Sequence, residues 1–199
     1  LLNDVFTTHY TTGEFLPTGR PYQSMRSIRY DDTDAILLWD ELDVDKIDVD
    51  GTLTHFIDYN AGTDYPVYAI CDDGVYAYWV TNNATSGKLE FLKKALTATS
   101  ADPATTMFTH PSIVVENAVL EFTKERIVAC INNSVYEIPT TATALPTAVY
   151  THPTNDFTYS SITSSGAAIY CAGWSGVQST IQKFTLTTSG SMPTLTSAI

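Results

Sequence analysis

The chain has 199 residues, of which 44% are hydrophobic and 12% aromatic, enough for a sizeable core. Only 16% are charged, below the roughly 25% usual in globular domains, so much of the surface must be neutral and polar. The formal net charge is -12, and 13 of the 22 acidic residues fall between Asp31 and Asp73, where Lys46 is the only basic residue. A surface of this sign repels phosphate groups, so we expect neither nucleic-acid binding nor binding to an anionic membrane.

Part of the chain is repeated. The segment Phe108–Pro111 returns as Tyr150–Pro153, and Ile127–Ala129 returns as Ile169–Cys171, both at an offset of 42 residues. A period of about 40 to 50 residues is typical of tandem supersecondary units, because one such unit cannot bury its apolar face until a neighbour stacks on it. The repeat therefore predicts stacked units of like construction.

The predicted elements are short strands, rich in β-branched and aromatic residues and separated by turn residues and prolines. Residues 1–24 are predicted to hold one outer strand of a preceding unit, Val5–His9, followed by a connection. The first complete unit, residues 25–63, is the most diverged of the series. Its four strands are predicted at Met25–Tyr30, Ala35–Trp39, Val44–Val49 and Thr52–Tyr59.

Three further units follow, at residues 64–111, 112–153 and 154–199. The strands of the second are predicted at Pro66–Cys71, Val75–Thr81, Lys88–Leu96 and Thr106–His110. Those of the third are predicted at Ala118–Phe122, Arg126–Ile131, Ser134–Ile138 and Thr147–His152. Those of the fourth are predicted at Phe157–Thr163, Ala167–Ala172, Thr180–Thr187 and Pro193–Ala198. The segment Lys88–Leu96 also fits one face of a helix, so both readings stay open there.

The second strands indicate how the units pack. Ile127–Ile131 is apolar without alternation, which favours a strand covered on both faces, as in four-stranded sheets stacked around an axis. The order of a small-residue strand, Ile169–Trp174, a polar hairpin and a third strand, Thr180–Leu186, resembles a β-propeller over residues 25–199. We therefore expect an all-β fold, a β-propeller of about four recognisable four-stranded blades, alone or within a larger ring.

One segment of the first unit carries alternate carboxylates, at Asp43, Asp45, Asp48 and Asp50. Calcium prefers oxygen ligands of this kind in flexible geometry, so these residues are a candidate cation site. However, Lys46 lies where an EF-hand loop would have Asp, and Asp50-Gly51 is a preferred hairpin turn. A solvated strand edge that ends in a turn is the favoured interpretation, with calcium as the alternative and no other cofactor expected.

The remaining polar residues indicate no chemistry. His110 and His152 recur because a strand end recurs, and no carboxylate partner recurs with them. No serine lies in a Gly-x-Ser-x-Gly elbow, and no glycine-rich phosphate loop is followed by Lys. We therefore predict no catalytic residue and no enzymatic activity.

Three carboxylates precede predicted second strands, at Asp34, Asp72 and Glu125. Glycosidases place paired carboxylates at their reacting centre, and those with propeller folds place them facing the axis. Carboxylates just before the second strands are therefore candidates for such a pair. The fourth unit has Ser165-Gly166 instead, which favours surface acids beside hairpins.

The three cysteines, at positions 71, 130 and 171, lie inside apolar runs and are predicted to be buried as small apolar side chains. At the repeat offset Cys130 corresponds to Ala172, and Cys171 corresponds to Ala129. Adjacent strand positions point to opposite faces, so we expect no bridge between these two thiols.

The chain most resembles the Thr-rich, acidic, cysteine-poor propeller segments of bacteriophage tail and other virion proteins. That resemblance implies a non-enzymatic structural or adhesion component of a virion, with other protein subunits as partners. A secreted carbohydrate-binding or glycoside-hydrolase propeller with a cell-surface glycan as partner is one alternative, and an intracellular protein-interaction scaffold is another. The start of the chain lacks a signal-like segment and no apolar run is long enough for a membrane helix, so no membrane insertion is expected.

Overall fold

The fold is all-β. The computed structural model describes residues 24–39, 43–57, 66–166, 168–176, 178–185 and 194–195, and these residues contain 16 strands and no helix. Accordingly, none of them belongs to a helix long and apolar enough to span a membrane. The strands form four antiparallel sheets of four, each ordered as in the sequence. We call these sheets blades 1 to 4, and the expected fold class is confirmed.

The strand bounds follow the chain. Blade 1 comprises β1 (Ser24–Tyr30), β2 (Thr33–Trp39), β3 (Val44–Asp48) and β4 (Leu53–Ile57). Blade 2 comprises β5 (Ala69–Asp72), β6 (Tyr76–Asn82), β7 (Leu89–Ala95) and β8 (Thr105–Thr109). Blade 3 comprises β9 (Ala118–Thr123), β10 (Arg126–Ile131), β11 (Ser134–Pro139) and β12 (Tyr150–Thr151). Blade 4 comprises β13 (Thr158–Ser165), β14 (Ala168–Ser175), β15 (Gln178–Thr185) and β16 (Thr194–Leu195).

Predicted and observed strands differ at a few places. Lys88–Leu96, which also fitted a helix, is strand β7, because it pairs with β6 on one side and β8 on the other. The predicted strand Thr147–His152 is reduced to the two residues of β12, although Val149 and His152 still donate backbone hydrogen bonds to blade 3. The predicted strand Val5–His9 lies outside the described residues.

The blades stack face to face through apolar clusters. The cluster between blades 1 and 2 includes Ile28, Leu37, Val44, Phe56, Ala77 and Trp79. The cluster between blades 2 and 3 includes Tyr78, Val80, Phe91, Leu120, Ile127 and Ala129. The cluster between blades 3 and 4 includes Val128, Cys130, Val135, Tyr159, Ile169 and Phe184. Burial of these side chains between sheets is the main source of stability, since no single sheet covers its own faces.

Strand β10 shows how one sheet serves two neighbours. Ile127 and Ala129 belong to the cluster shared with blade 2, whereas Val128 and Cys130 belong to the cluster shared with blade 4. Successive strand side chains point to opposite faces, so a strand buried on both sides is apolar throughout. This confirms the interpretation of the unalternating run Ile127–Ile131.

Cys130 and Cys171 point to opposite faces of their sheets, as expected, but the inference that this orientation keeps the two thiols apart is wrong. Their Sγ atoms lie 3.5 Å apart in the interface between blades 3 and 4, and both thiols are free. Cys130 lies on the face of blade 3 that packs against blade 4, and Cys171 lies on the face of blade 4 that packs against blade 3. In a stack of sheets, opposite faces of successive sheets meet, so opposite orientation brings these side chains together.

Candidate functional site: the axial cavity

The first strands of the blades run beside one another, with β1 next to β5, β5 next to β9, and β9 next to β13. They surround a cavity of about 640 Å³ on the inner side of the stack. Residues from all four of these strands line it, among them Met25, Arg26, Ile70, Leu120, Ser161 and Ile162. We call this the axial cavity.

A polar network begins at Arg26, which lines the axial cavity, and runs across the first strands of the blades. The Nε atom of Arg26 donates to Asp72 Oδ2 at 3.0 Å, and both terminal nitrogens of the guanidinium lie 3.4 Å from Glu121 Oε2. The hydroxyl of Ser164 donates to the other Glu121 oxygen at 2.9 Å. Arg26, Asp72, Glu121 and Ser164 lie on β1, β5, β9 and β13, so each blade contributes one member. We call these four residues the axial network.

The charged groups of the axial network are largely withdrawn from solvent. The side chains of Arg26, Asp72 and Glu121 are 25%, 12% and 18% exposed. Burial alone would lower the pKa of the Arg26 guanidinium, but the nearby groups of Cys71, Glu121 and Asp72 outweigh it, and the net pKa is raised. Burial raises the pKa of Asp72, although its hydrogen bond to Arg26 opposes that shift.

This geometry fits a structural tie better than a reacting pair of acids. In a glycosidase one carboxyl protonates the leaving group while the other acts as base or nucleophile, so both must face the substrate. Here Asp72 and Glu121 both accept hydrogen bonds from Arg26, and the second carboxylate oxygen of Glu121 accepts one from the Ser164 hydroxyl. The same contacts join blade 1 to blades 2 and 3, and blade 3 to blade 4.

The structure separates the three carboxylates singled out in the sequence. Asp72 belongs to the axial network, whereas Asp34 is exposed and 4.0 Å from Arg29 at the surface. Glu125 lies in the β9–β10 turn with a positive φ of 65°. Sequence reasoning missed Arg26 and Glu121. The available signal for Glu121 was a charged side chain in the middle of an otherwise apolar strand.

The candidate cation residues make separate contacts on blade 1. Asp45 is buried, and its Oδ1 lies 2.6 Å from Nδ1 of His55 on β4. Asp43 is half-buried and directly precedes β3. The burial of Asp45 differs from the solvated edge expected there, because Asp45 pairs with His55 across the two strands.

The other two carboxylates of that set follow in the same hairpin. Asp48 Oδ1 accepts from the Tyr30 hydroxyl at 2.7 Å, and Asp50 Oδ1 accepts from the Thr52 backbone N–H at 2.9 Å. Gly51 has a positive φ of 84°, as a turn residue. Among the described residues, no three His, Cys, Asp or Glu side chains are placed to hold a metal ion. Calcium at these positions stays a prediction that a titration would test.

The repeated histidines close turns. Nδ1 of His110 accepts from the backbone N–H of Ile113 at 3.1 Å, and Nδ1 of His152 accepts from that of Thr154 at 3.1 Å. The His152 ring also stacks on Phe157 at 3.8 Å between centroids. Each imidazole therefore satisfies backbone donors just after the strand ends.

Comparison with known proteins supports the fold alone. No family model matches the chain, and no curated protein matches it. Among solved structures it is similar to virginiamycin B lyase from Staphylococcus aureus, with a TM-score of 0.58 and 13% identity over 85% of this chain and 54% of that one. It is also similar to a prolyl endopeptidase, with a TM-score of 0.51 and 11% identity over 88% of this chain and 28% of that one.

A third similar structure is a bifunctional GH43-CE protein from Bacteroides eggerthii, with a TM-score of 0.48 and 12% identity over 86% of this chain and 27% of that one. The chain thus spans about half the length of the lyase and less of the other two proteins. At identities this low the likeness extends to fold and not to activity. Four stacked four-stranded sheets and the likeness to the lyase together show that this chain has a β-propeller fold.

Proposed function

We propose that this chain is a structural or adhesion β-propeller that acts through protein contacts. The observation that carries the proposal is the axial network, in which every blade supplies one group and the charged groups pair with each other across blades. Glycosidases with propeller folds place their reacting carboxylates facing the axis. In this chain the same position is used to hold the blades together.

The outward face of blade 4 offers a surface for a partner. Trp174 is 53% exposed and Ile181 is 46% exposed, and Ile181 pairs across the strands with Ala172 on the same face. At the repeat offset of 42 residues, Ala172 corresponds to Cys130. That position in blade 3 is fully buried against blade 4. The face of blade 4 is therefore built like a face that elsewhere in this chain is covered by a sheet.

The outward face of blade 1 is also apolar. Ile36 is 40% exposed and Val49 is 71% exposed, and with Ile47 they line a groove of about 740 Å³. Continuity with the blade interfaces supports a four-stranded sheet of similar build as the proposed occupant of both faces. In an assembly of subunits, that sheet belongs to an adjoining subunit. Exposed apolar faces of this kind mark interaction sites.

The proposed setting is a virion, as part of a tail or of the particle surface. The resemblance to phage tail propellers, the low charged fraction and the abundance of Thr and Ser support that setting. The free buried thiols fit assembly in a reducing cytoplasm. Fractionation of particles from the native source, with an antibody to this chain, tests the setting directly.

One observation favours a second candidate function, carbohydrate binding. Exposed Trp174 lies on the same face of β14 as Tyr170, four residues along the strand, and aromatic side chains of this kind bind sugars by stacking. A lectin-like module would therefore use the same face of blade 4. The axial network weighs against the glycoside-hydrolase form of this alternative, because its carboxylates are already paired with Arg26.

Sedimentation velocity of the full chain over a range of concentrations tests the proposal. We expect self-association, or association with the neighbouring subunit when it is present, and we expect Trp174→Ser with Ile181→Ser to weaken it at least tenfold. The control is Val75→Ser, which removes an apolar side chain of similar exposure, 60%, from the β5–β6 hairpin. The proposal would be overturned if the chain sediments as a monomer at every concentration, with and without the double substitution, and binds no neighbouring subunit. Glycan binding lost with Trp174 would support the second candidate.

A further inference from the structure

Two of the three cysteines form a thiol pair between blades. Cys130 lies on β10 and Cys171 lies on β14, and their Sγ atoms are 3.5 Å apart. Both side chains are fully buried in the apolar cluster shared by blades 3 and 4. The third thiol, Cys71, belongs to the cluster shared by blades 2 and 3, so it packs in a different interface.

We propose that Cys130 and Cys171 are a modification site, a dithiol that a hydroperoxide oxidises to a disulfide joining blade 3 to blade 4. One thiolate attacks the peroxide, the O–O bond breaks, and a sulfenic acid and one molecule of water or alcohol are formed. The second thiol then attacks the sulfenic sulfur, so that an S–S bond forms as the S–O bond breaks. The departing hydroxide takes up the proton of the attacking thiol and leaves as water. The two thiols together lose two protons and two electrons, and the peroxide accepts both.

Geometry favours an internal bond over other products. The sulfurs are already in van der Waals contact at 3.5 Å, so closure to the normal bond length of about 2.05 Å requires them to approach by about 1.5 Å. A sulfenic acid formed at either sulfur lies directly against its resolving thiol, which shortens its lifetime before further oxidation. Because the apolar cluster excludes solvent, an external thiol or a second chain has poor access to the intermediate.

Burial also sets the rate. It raises the pKa of the Cys130 thiol well above its usual value, so little thiolate is present at neutral pH in the closed structure. Oxidation is therefore expected to proceed through opening of the blade 3–blade 4 interface and to accelerate in mild denaturant. Once formed, the disulfide holds blade 4 on blade 3 and restricts the unfolded chain between two residues 41 apart.

The test uses the full-length chain. The reduced protein is exposed to hydrogen peroxide and then unfolded in denaturant so that buried thiols become accessible. The remaining thiols are blocked with iodoacetamide, and intact mass and peptide mapping follow. We expect loss of two hydrogens, one alkylated cysteine at position 71, and a linked peptide pair containing residues 130 and 171. The thermal midpoint should rise by about 5–10 °C, as expected for one disulfide in a chain of this size, and dithiothreitol should reverse the rise.

Variants provide the controls. Cys71→Ser should leave the link intact, whereas Cys130→Val and Cys171→Val should each abolish it. Peptide mapping of the unsubstituted chain needs no variant, so poor folding of a substituted protein leaves the test valid. Sulfinic acids at both positions, links between chains, or thiols that stay reduced even in mild denaturant would each overturn the proposal.

Discussion

Substitution of Gly173 by alanine should destabilise blade 4 for a purely steric reason. A Cβ atom at this position would lie 2.4 and 2.6 Å from two carbons of the Phe157 ring and 2.6 Å from the Thr158 carbonyl oxygen. The ring cannot turn aside freely, because it is stacked on His152 and packed edge-on against Tyr159. The carbonyl is part of the backbone at the start of β13.

The magnitude follows from these contacts. Overpacking of a filled interior costs about 1–3 kcal/mol, and contact with a fixed backbone atom places Gly173→Ala at the upper end. In urea, with a slope of roughly 2 kcal/mol per molar, a cost of about 3 kcal/mol should lower the midpoint by about 1.5 M. Tryptophan fluorescence reports the transition, since the chain has 3 tryptophans.

Gly176→Ala is the matched control, because a Cβ atom there would meet no atom within 4 Å. Its midpoint should be unchanged or slightly raised, since alanine restricts the unfolded chain. Phe157→Leu added to Gly173→Ala should recover part of the lost stability by clearing the ring. Equal midpoints for the two alanine variants would refute the packing described for blade 4.

Further predictions concern charge and turn geometry. Burial, followed by the hydrogen bond to Asp48, raises the pKa of Tyr30 from 10.0 to about 12. The stability contributed by the protonated phenol is therefore complete below pH 10 and is lost as pH rises through 12. Tyr30→Phe should make the free energy of unfolding less dependent on pH over that interval. Urea unfolding at several pH values measures this dependence. Lys124 and Glu125 have positive φ angles of 48° and 65°, which is the geometry of a primed turn, and Asn-Gly is the preferred sequence for such a turn. The double substitution Lys124→Asn with Glu125→Gly should therefore raise the free energy of unfolding by up to about 1 kcal/mol. Lower stability of the double variant would refute a primed turn.

The sequence predicted those parts of the fold that repeat locally. Blades 3 and 4 share an offset of 42 residues, and the buried strands of both follow from apolar runs without alternation. Period-2 alternation also assigned Cys130 and Cys171 to opposite faces. What alternation alone could not supply was the stacking of one sheet on the next, and that stacking places the two thiols in contact.

The axial network could not be predicted for a related reason. Arg26 and Glu121 are 95 residues apart, and no local pattern joins a residue on β1 to one on β9. Their proximity depends on how successive blades are arranged around the axis, which the repeat predicts only in outline. Glu121 alone carried a signal, because a charge within an apolar strand needs a partner.

The most direct test of the central claim, that the axial charges are a tie between blades, is a double-mutant cycle on Arg26 and Asp72. Arg26→Met leaves two carboxylates unpaired in a poorly solvated site, which should cost about 2 kcal/mol, less than a fully buried pair because each side chain keeps some exposure. Asp72→Asn in the same background should then cost much less than it does alone. Arg29→Met is the control, since its partners Asp32 and Asp34 are exposed and the pairs should contribute little.

The result expected from urea unfolding of the four proteins of the cycle is a coupling energy of at least about 1 kcal/mol between Arg26 and Asp72. The Arg29→Met midpoint should stay close to that of the unsubstituted chain. A coupling energy near zero, or an Arg26→Met protein as stable as the original, would contradict the structural role of the axial network and remove the main support for the proposed function.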